Sequence, residues 1–442
     1  VLQAYDELRA VAVIALGVAH AVQAGVGNAV LHGVAAGGVD HAGACALIAS
    51  LLSELTDDQY TMGMYMGEVL TMRAWAYSGL LRTFTSHEYN DAAVAVPIYT
   101  EDDTRKDSIL GAPRATCADV YLRIEEDFTT AIKYFETYDE VPGLAKIEVN
   151  ADVARILLAY AYLNKGDYVN AFTWAKEAID KTSANILPKQ DVLTTGFNNV
   201  ENNNWIWGLD VTTQNTTALA SFFGQCDIYS YSYASAGDIK GIDANLLKEI
   251  ENLKWDKREL WFNNYYKSGK KNASMFQYAP DGKFYSATSR GIQADRDWLS
   301  DNVYMRLELA YLIAAEAACR QGDDPTAKEY LFDITDERVK DGSDADYTAW
   351  KATLTTNADL LAAIRYNWRV ELWGEGYGLQ TFRRFNEVVN LGENHLRSQK
   401  EISPVSPTPR YFTFELPTSE LYYNPYVRDT NTESAKTLKH KN

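Results

Sequence analysis

The chain has 442 residues, enough to bury a large core, and 60 acidic side chains against 42 basic ones give it a net charge of −18. That charge repels a phosphate backbone over most of the surface and argues against nucleic acid as a partner. The four cysteines, Cys45, Cys117, Cys226 and Cys319, share no CxxC spacing, which disfavours both a zinc site and a disulfide framework.

Residues 10–39 carry no Asp, Glu, Lys or Arg. A charge-free run longer than ~18 residues has to be weighed as a membrane span. His20, Gln23, Asn28, His32 and repeated glycines dilute its apolar character, so buried helices are the preferred reading. From Met62 a long helix is predicted, with Val69, Leu70, Ala74, Tyr77, Leu80 and Leu81 on one apolar face. Residues 86–91 break it, and 92–103, with Pro97, are expected to be extended. Residues 116–138 read as a second amphipathic helix with Val120, Ile124, Phe128, Ala131, Ile132 and Phe135 on its buried side.

The clearest pattern is an internal repeat. In ADVARILLAYAYLNKGDYVNAFTWAKEAID, beginning at Ala151, Ala159 precedes Gly166 and Ala171 follows it at the same intervals as Ala315, Gly322 and Ala327 in NVYMRLELAYLIAAEAACRQGDDPTAKEYL, beginning at Asn302. A small residue in the first helix, Gly-Asp at the turn and Ala in the second helix form the tetratricopeptide pattern, whose period is ~34 residues. The predicted architecture is therefore mainly α, a single domain over 1–442. Tetratricopeptide-like helix pairs are expected near 68–135, 152–180, 303–338 and 359–385. Between them, 188–300 loses helical periodicity and fills with Asn, Ser, Gly and aromatics, which reads as an inserted, loop-rich lobe. The proline-rich stretch 403–425 is expected to lie extended.

Several blocks in order along the chain carry a further signal. They are Arg73-Ala74-Trp75-Ala76-Tyr77 with Leu81-Arg82, Val96-Pro97-Ile98-Tyr99, Arg114 to Thr116 with Val120-Tyr121 and Asp127, and Glu201 with Ile206-Trp207. Asp256 with Arg258, Arg306-Leu307 with Ala315-Glu316-Ala317, Arg369 to Gly376, and Phe414, Leu416-Pro417, Glu420 and Asn424-Pro425 continue the series. Together they resemble the SusD/RagB family of nutrient-binding lipoproteins, though Gly378, Thr381 and Asn367-Trp368 depart from that family's usual Arg, Asp and Glu-Arg. The resemblance implies a SusD-like fold and non-catalytic capture of an oligosaccharide, delivered to a SusC-like TonB-dependent outer-membrane transporter. It also implies a surface-exposed outer-membrane lipoprotein, held by a lipid upstream of Val1. Capture of peptides for the same kind of transporter is the alternative within the family, and a tetratricopeptide scaffold for a protein partner is the alternative outside it.

The residues themselves favour binding over catalysis, with no cofactor or metal expected. HExxH, GxSxG and GxxxxGK are all absent. Glu371 and Glu375 stand one helical turn apart, but pairing with Arg369 or Arg383 is preferred to an acid–base role. Asp341, Asp344 and Asp346 lack the spacing of a calcium loop and read as a solvated turn. Sugar rings present apolar faces and a hydroxyl rim, so a recognition surface needs flat aromatics beside polar side chains. The candidate contacts are His87, Tyr89 and Asn90 after the first long helix, Tyr229, Tyr231 and Tyr233 in the lobe, and Trp298 before the central helix. The competing reading of Tyr229, Tyr231 and Tyr233 is one face of a β-strand packed on the helices. Trp75, Trp174, Trp205, Trp207 and Trp373 are assigned to packing.

Overall fold

The computed structural model describes residues 59–85, 89–99, 111–138, 146–386, 388–395, 401–402 and 414–427. The charge-free segment 10–39, His87 and residues 403–413 lie outside them. Its longer helices are α1 (Gln59–Phe84), α2 (Cys117–Tyr138), α3 (Ala151–Lys165), α4 (Tyr168–Lys181), α5 (Ala244–Asn252), α6 (Leu307–Arg320), α7 (Asp324–Asp336), α8 (Asp344–Thr353), α9 (Asn357–Glu371) and α10 (Gly378–Phe385). Three two-stranded antiparallel ladders join β1 (Val94–Pro97) to β2 (Arg114–Thr116), β3 (Trp205–Leu209) to β4 (Asn302–Arg306), and β5 (Val389–Asn390) to β6 (Glu401–Ile402).

The repeat seen in the sequence is two helical hairpins built alike. Asn150 caps α3 by accepting the Asp152 and Val153 N–H groups, and Gly166 ends it at φ 85°, a left-handed position that glycine takes without steric cost. Asp167 then caps α4 through the Asn170 N–H. In the second hairpin Gly322 stands at φ 82°, Asp323 caps α7 through the Thr326 N–H, and Pro325 occupies the first turn, where a missing N–H costs nothing. Ala159, Ala171, Ala315 and Ala327 are all fully buried, so the small residues lie where the helices approach each other. α6 packs on α4, α7, α9 and α3 and forms the centre of the stack. In the first pair, Arg73 of α1 and Asp127 of α2 form a buried two-pronged ion pair with both contacts at 2.7 Å.

Two expectations are corrected. Asn302–Arg306 is a strand, not the first turns of the central helix, which begins at Leu307. Its helical spacing is overridden by a backbone partner about a hundred residues upstream: β4 pairs with β3 in the register Trp205↔Arg306 and Leu209↔Asn302. The tail is not wholly extended, because Thr418–Tyr423 closes a short helix after Pro417, and the Asn424 amide ties its end to Glu420 and to the Ala112 carbonyl.

The β3–β4 ladder also determines where the intervening chain leaves and returns. Between the two strands lie short helical turns, α5 and irregular backbone. A second apolar cluster, including Phe223, Trp261, Phe262 and Phe284 from this stretch and Phe197 from just before β3, packs against Tyr366 and Val370 of α9. This contact joins the irregular region to the helical stack.

Candidate functional site

Two groups of polar residues need an account. The first surrounds Glu371 and Glu375, and its partners differ from those expected. Glu371 accepts from Arg258 at 3.1 Å, from Arg306 at 3.1 Å and from Arg338 at 2.8 and 2.9 Å. Glu375 accepts from Arg306 at 2.8 and 2.9 Å and from Lys283 at 2.7 Å. Glu308 pairs with Arg306 and Arg338, and Asp256 holds Arg258 with two contacts at 2.7 and 2.9 Å. Arg369 instead meets Glu249 on the surface, and Arg383 donates to backbone carbonyls. The expected pairing fails because both arginines are engaged elsewhere, whereas the carboxylates meet Arg258, Lys283, Arg306 and Arg338 at the joint between stack and lobe.

Arg258, Arg306, Arg338 and Lys283 thus balance Asp256, Glu308, Glu371 and Glu375, and all eight are buried. Burial alone drives the Glu371 carboxyl up, but Arg338 and Arg306 outweigh it and hold the group well below the usual carboxylate range. Burial pushes Lys283 down to about 8, against the pull of Glu375. With every carboxylate oxygen occupied by a donor, no acid–base pair is available; the cluster binds α6, α7, α9 and the lobe together.

The second group lies in the lobe and is built around two buried carboxylates. Asp227 accepts the N–H groups of Tyr229 and Ser230, each at 2.9 Å, the Ser230 hydroxyl at 2.7 Å and the Ser286 N–H at 3.1 Å. Asp295 accepts the Ser286 hydroxyl at 2.7 Å and the N–H groups of Asp297 at 2.9 Å and Trp298 at 3.2 Å. The two segments are cross-linked along the backbone, Tyr231 N–H to the Asp295 carbonyl at 2.9 Å and Asp295 N–H to the Tyr229 carbonyl at 3.1 Å. Burial pushes Asp227 up to about 6 despite its donors, while the donors around Asp295 outweigh its burial and bring it below the usual value.

This frame carries exposed aromatics. Tyr231 and Tyr233 are 40 % and 51 % exposed. The half-buried Trp298 indole donates its Nε1–H to the Tyr231 carbonyl at 2.9 Å, and Thr216 Oγ1 donates to the Trp298 carbonyl at 2.9 Å. Trp298 adopts φ 52°, a conformation that costs ~1–3 kcal/mol for a non-glycine residue and persists only where its surroundings hold it. The exposed Arg296 guanidinium stacks 4.0 Å from the Tyr231 ring centroid. The result is a shelf of flat rings with a forked cation at its edge.

Of the sequence candidates, Tyr231 and Trp298 share this shelf, and the exposed Tyr233 stands two residues further along the Tyr231 segment. Tyr229 lies beneath it, buried, with Arg290 over its ring at 4.8 Å. The segment is not a strand: Ser230 makes only an isolated bridge to Asp295. Tyr89 is half-buried, edge-on to Tyr121 at 5.0 Å, and its hydroxyl donates to Asp91. The exposed Asn90 accepts the Ala92 N–H at 3.0 Å and closes a turn. Among the described residues no ring contact or hydrogen bond joins Tyr89 or Asn90 to the shelf. Asp295 and Arg296 were not among the candidates, although Asp-Arg-Asp-Trp at 295–298 carries a signal: an Asp two and three residues before backbone N–H groups it can accept.

The SusD family model matches residues 173–441, more than half of the chain. The chain belongs to the SusD family. Its fold is shared by a SusD superfamily protein from Bacteroides thetaiotaomicron, 21% identical, with a TM-score of 0.65 over 84% of this chain and 78% of that one. A SusD-like carbohydrate binding protein from Bacteroides vulgatus is 22% identical, with a TM-score of 0.67 over 88% and 82%. A SusD-like protein from Bacteroides fragilis is 15% identical, with a TM-score of 0.63 over 87% and 83%. No curated protein matches the chain.

Proposed function

We propose that this SusD-family protein captures an oligosaccharide on the Tyr231–Trp298 shelf, without catalysis, and delivers it to a partner TonB-dependent outer-membrane transporter. The observation that carries the reading is the combination of exposed rings with a buried hydrogen-bond frame beneath them. Exposed aromatics in a loop normally reorient freely; here Asp227 and Asp295 fix the backbone that carries them, so a sugar face meets rings already in place. Arg296 and Asp297, both exposed, supply donors and acceptors for the hydroxyl rim. Membership of the SusD family supports the reading, as does carbohydrate binding by the B. vulgatus relative.

In this account the whole chain acts as one unit at the outer surface of the outer membrane, held by an N-terminal lipid. The helical stack faces the transporter while the lobe offers the ligand. Glycan-array binding followed by calorimetry is the test, with a peptide library run on the same sample. Glycan binding lost in Tyr231→Ala and Trp298→Ala supports the proposal. Peptide binding with no glycan binding transfers it to peptide capture, and retention of a transporter with neither ligand favours a scaffold. Acyl labelling of the full-length product tests the lipid anchor.

A further inference from the structure

A separate cleft of about 40 Å³ opens between α1, α2, α3 and α10. Three arginines, Arg82, Arg383 and Arg384, line it together with Tyr89, Tyr121 and Gln380, and none of its lining residues is an Asp or a Glu. In a protein of net charge −18 that concentration of positive charge is unexpected. The three cations are not equivalent. Arg384 meets Glu316, with contacts at 2.9 and 3.0 Å, and shares that carboxylate with Arg320 at 2.9 Å. Arg383 donates only to the carbonyls of Arg82 and Thr85, the latter at 3.0 Å. Burial, reinforced by the neighbouring charge of Arg82, lowers its pKa to about 10, so it remains cationic at neutral pH. The Arg82 guanidinium stacks 5.7 Å from the Tyr160 ring centroid and, among the described residues, makes no hydrogen bond or ion pair.

Two guanidinium groups therefore share a partly water-excluded cleft with no counter-charge among the described residues that line it. Uncompensated buried charge is costly, and like charges side by side raise that cost. Elsewhere in this chain buried arginines are each matched with carboxylates, as around Glu371. A guanidinium presents two parallel N–H groups that fit the oxygens of a carboxylate or a tetrahedral oxyanion, and such charge-assisted bonds are stronger than neutral ones. A second hollow of about 10 Å³, lined by Trp75, Ser78 and Tyr160, adjoins it and shares Arg82, Tyr121 and Asn164 with it.

We infer that this cleft binds an oxyanion, a carboxylate or a sulfate, through Arg82 and Arg383, either as a free ion or as the acidic group of a larger ligand. The site is distinct from the shelf and does not depend on it. Calorimetric titration of the full chain with sodium sulfate, glucuronate and glucose, at an ionic strength balanced with sodium chloride, tests it. Sulfate and glucuronate are expected to bind with one site per chain, and glucose not at all. Arg82→Gln should weaken both anions by about tenfold or more, since one charge-assisted contact is removed. Gln380→Glu, at a half-buried position on the rim, places a competing carboxylate in the cleft and should weaken them in the same direction without touching the core. Glucuronate binding well above sulfate identifies an acidic sugar as the source of the anion; equal binding identifies the free ion. The inference is overturned if neither anion binds, or if Arg82→Gln and Gln380→Glu both bind them like the parent.

Discussion

The joint between helices and lobe and the frame beneath the shelf both take carboxylates out of water, but they satisfy them differently. At the joint, Glu371 and Glu375 receive guanidinium and ammonium groups from Arg258, Lys283, Arg306 and Arg338, which come from four separate stretches of chain. Beneath the shelf, Asp227 and Asp295 receive only neutral donors, N–H and O–H groups close by in space and mostly close in sequence. Full charges acting over long chain separations fix where one part of the molecule sits on another. Neutral donors fix the local path of a loop and leave the side chains above them free to meet a ligand.

The largest effect should come from breaking the joint. Glu371→Gln leaves three buried arginines short of a counter-charge and should cost about 3–5 kcal/mol, visible as a large drop in melting temperature. Breaking the frame is expected to cost less: Asp295→Asn weakens its bonds to Ser286, Asp297 and Trp298 and should remove about 1–3 kcal/mol, with glycan affinity falling because Trp298 is no longer held. If Asp295→Asn destabilised as strongly as Glu371→Gln, the distinction between the regions would fail.

Acid should separate Glu371 from Asp227 by sign, while Asp295, held below its usual value, follows Glu371. The folded-state pKa of Glu371 lies below its unfolded value, so its contribution is complete above the usual carboxylate range and is lost as pH falls through the folded value. Asp227, raised to about 6, behaves oppositely: the folded protein takes up its proton first, so this contribution grows as pH falls from neutral through about 6. Melting temperature should therefore rise modestly from neutral to about pH 5 and fall below about pH 4. Asp227→Asn should reduce the rise, to which Glu68, pushed up by burial to about 8, also contributes, and keep the acid-side fall. The smallest effect on stability is expected for Trp298→Ala, since a half-buried ring on the outer side of the lobe contributes little to the core.

Much of the helical stack could be read from the sequence, because each hairpin encodes itself locally. Gly166-Asp167 and Gly322-Asp323 mark the turns, and alanines at matching intervals mark the contacts. What failed depended on partners distant in sequence. Asn302–Arg306 reads as helix until Trp205–Leu209 offers it a ladder. The blocks around Asp256, Arg306 and Glu371 were each recognisable, but no spacing indicates that they converge on one buried cluster. The shelf was visible only as a list of aromatics: nothing in Tyr229, Tyr231 and Tyr233 reveals that the first is buried and the other two exposed, because an irregular path pinned by Asp227 replaces the alternation of a strand.

The central claim, that the rings above the frame take the ligand, is tested most directly by titrating one glycan found on the array into the parent, Tyr231→Ala and Trp298→Ala, with melting curves on the same samples. The account predicts a loss of about 1–3 kcal/mol of affinity in each variant, with melting temperatures close to the parent. Parent-like affinity in both variants, or early melting in both, would contradict it.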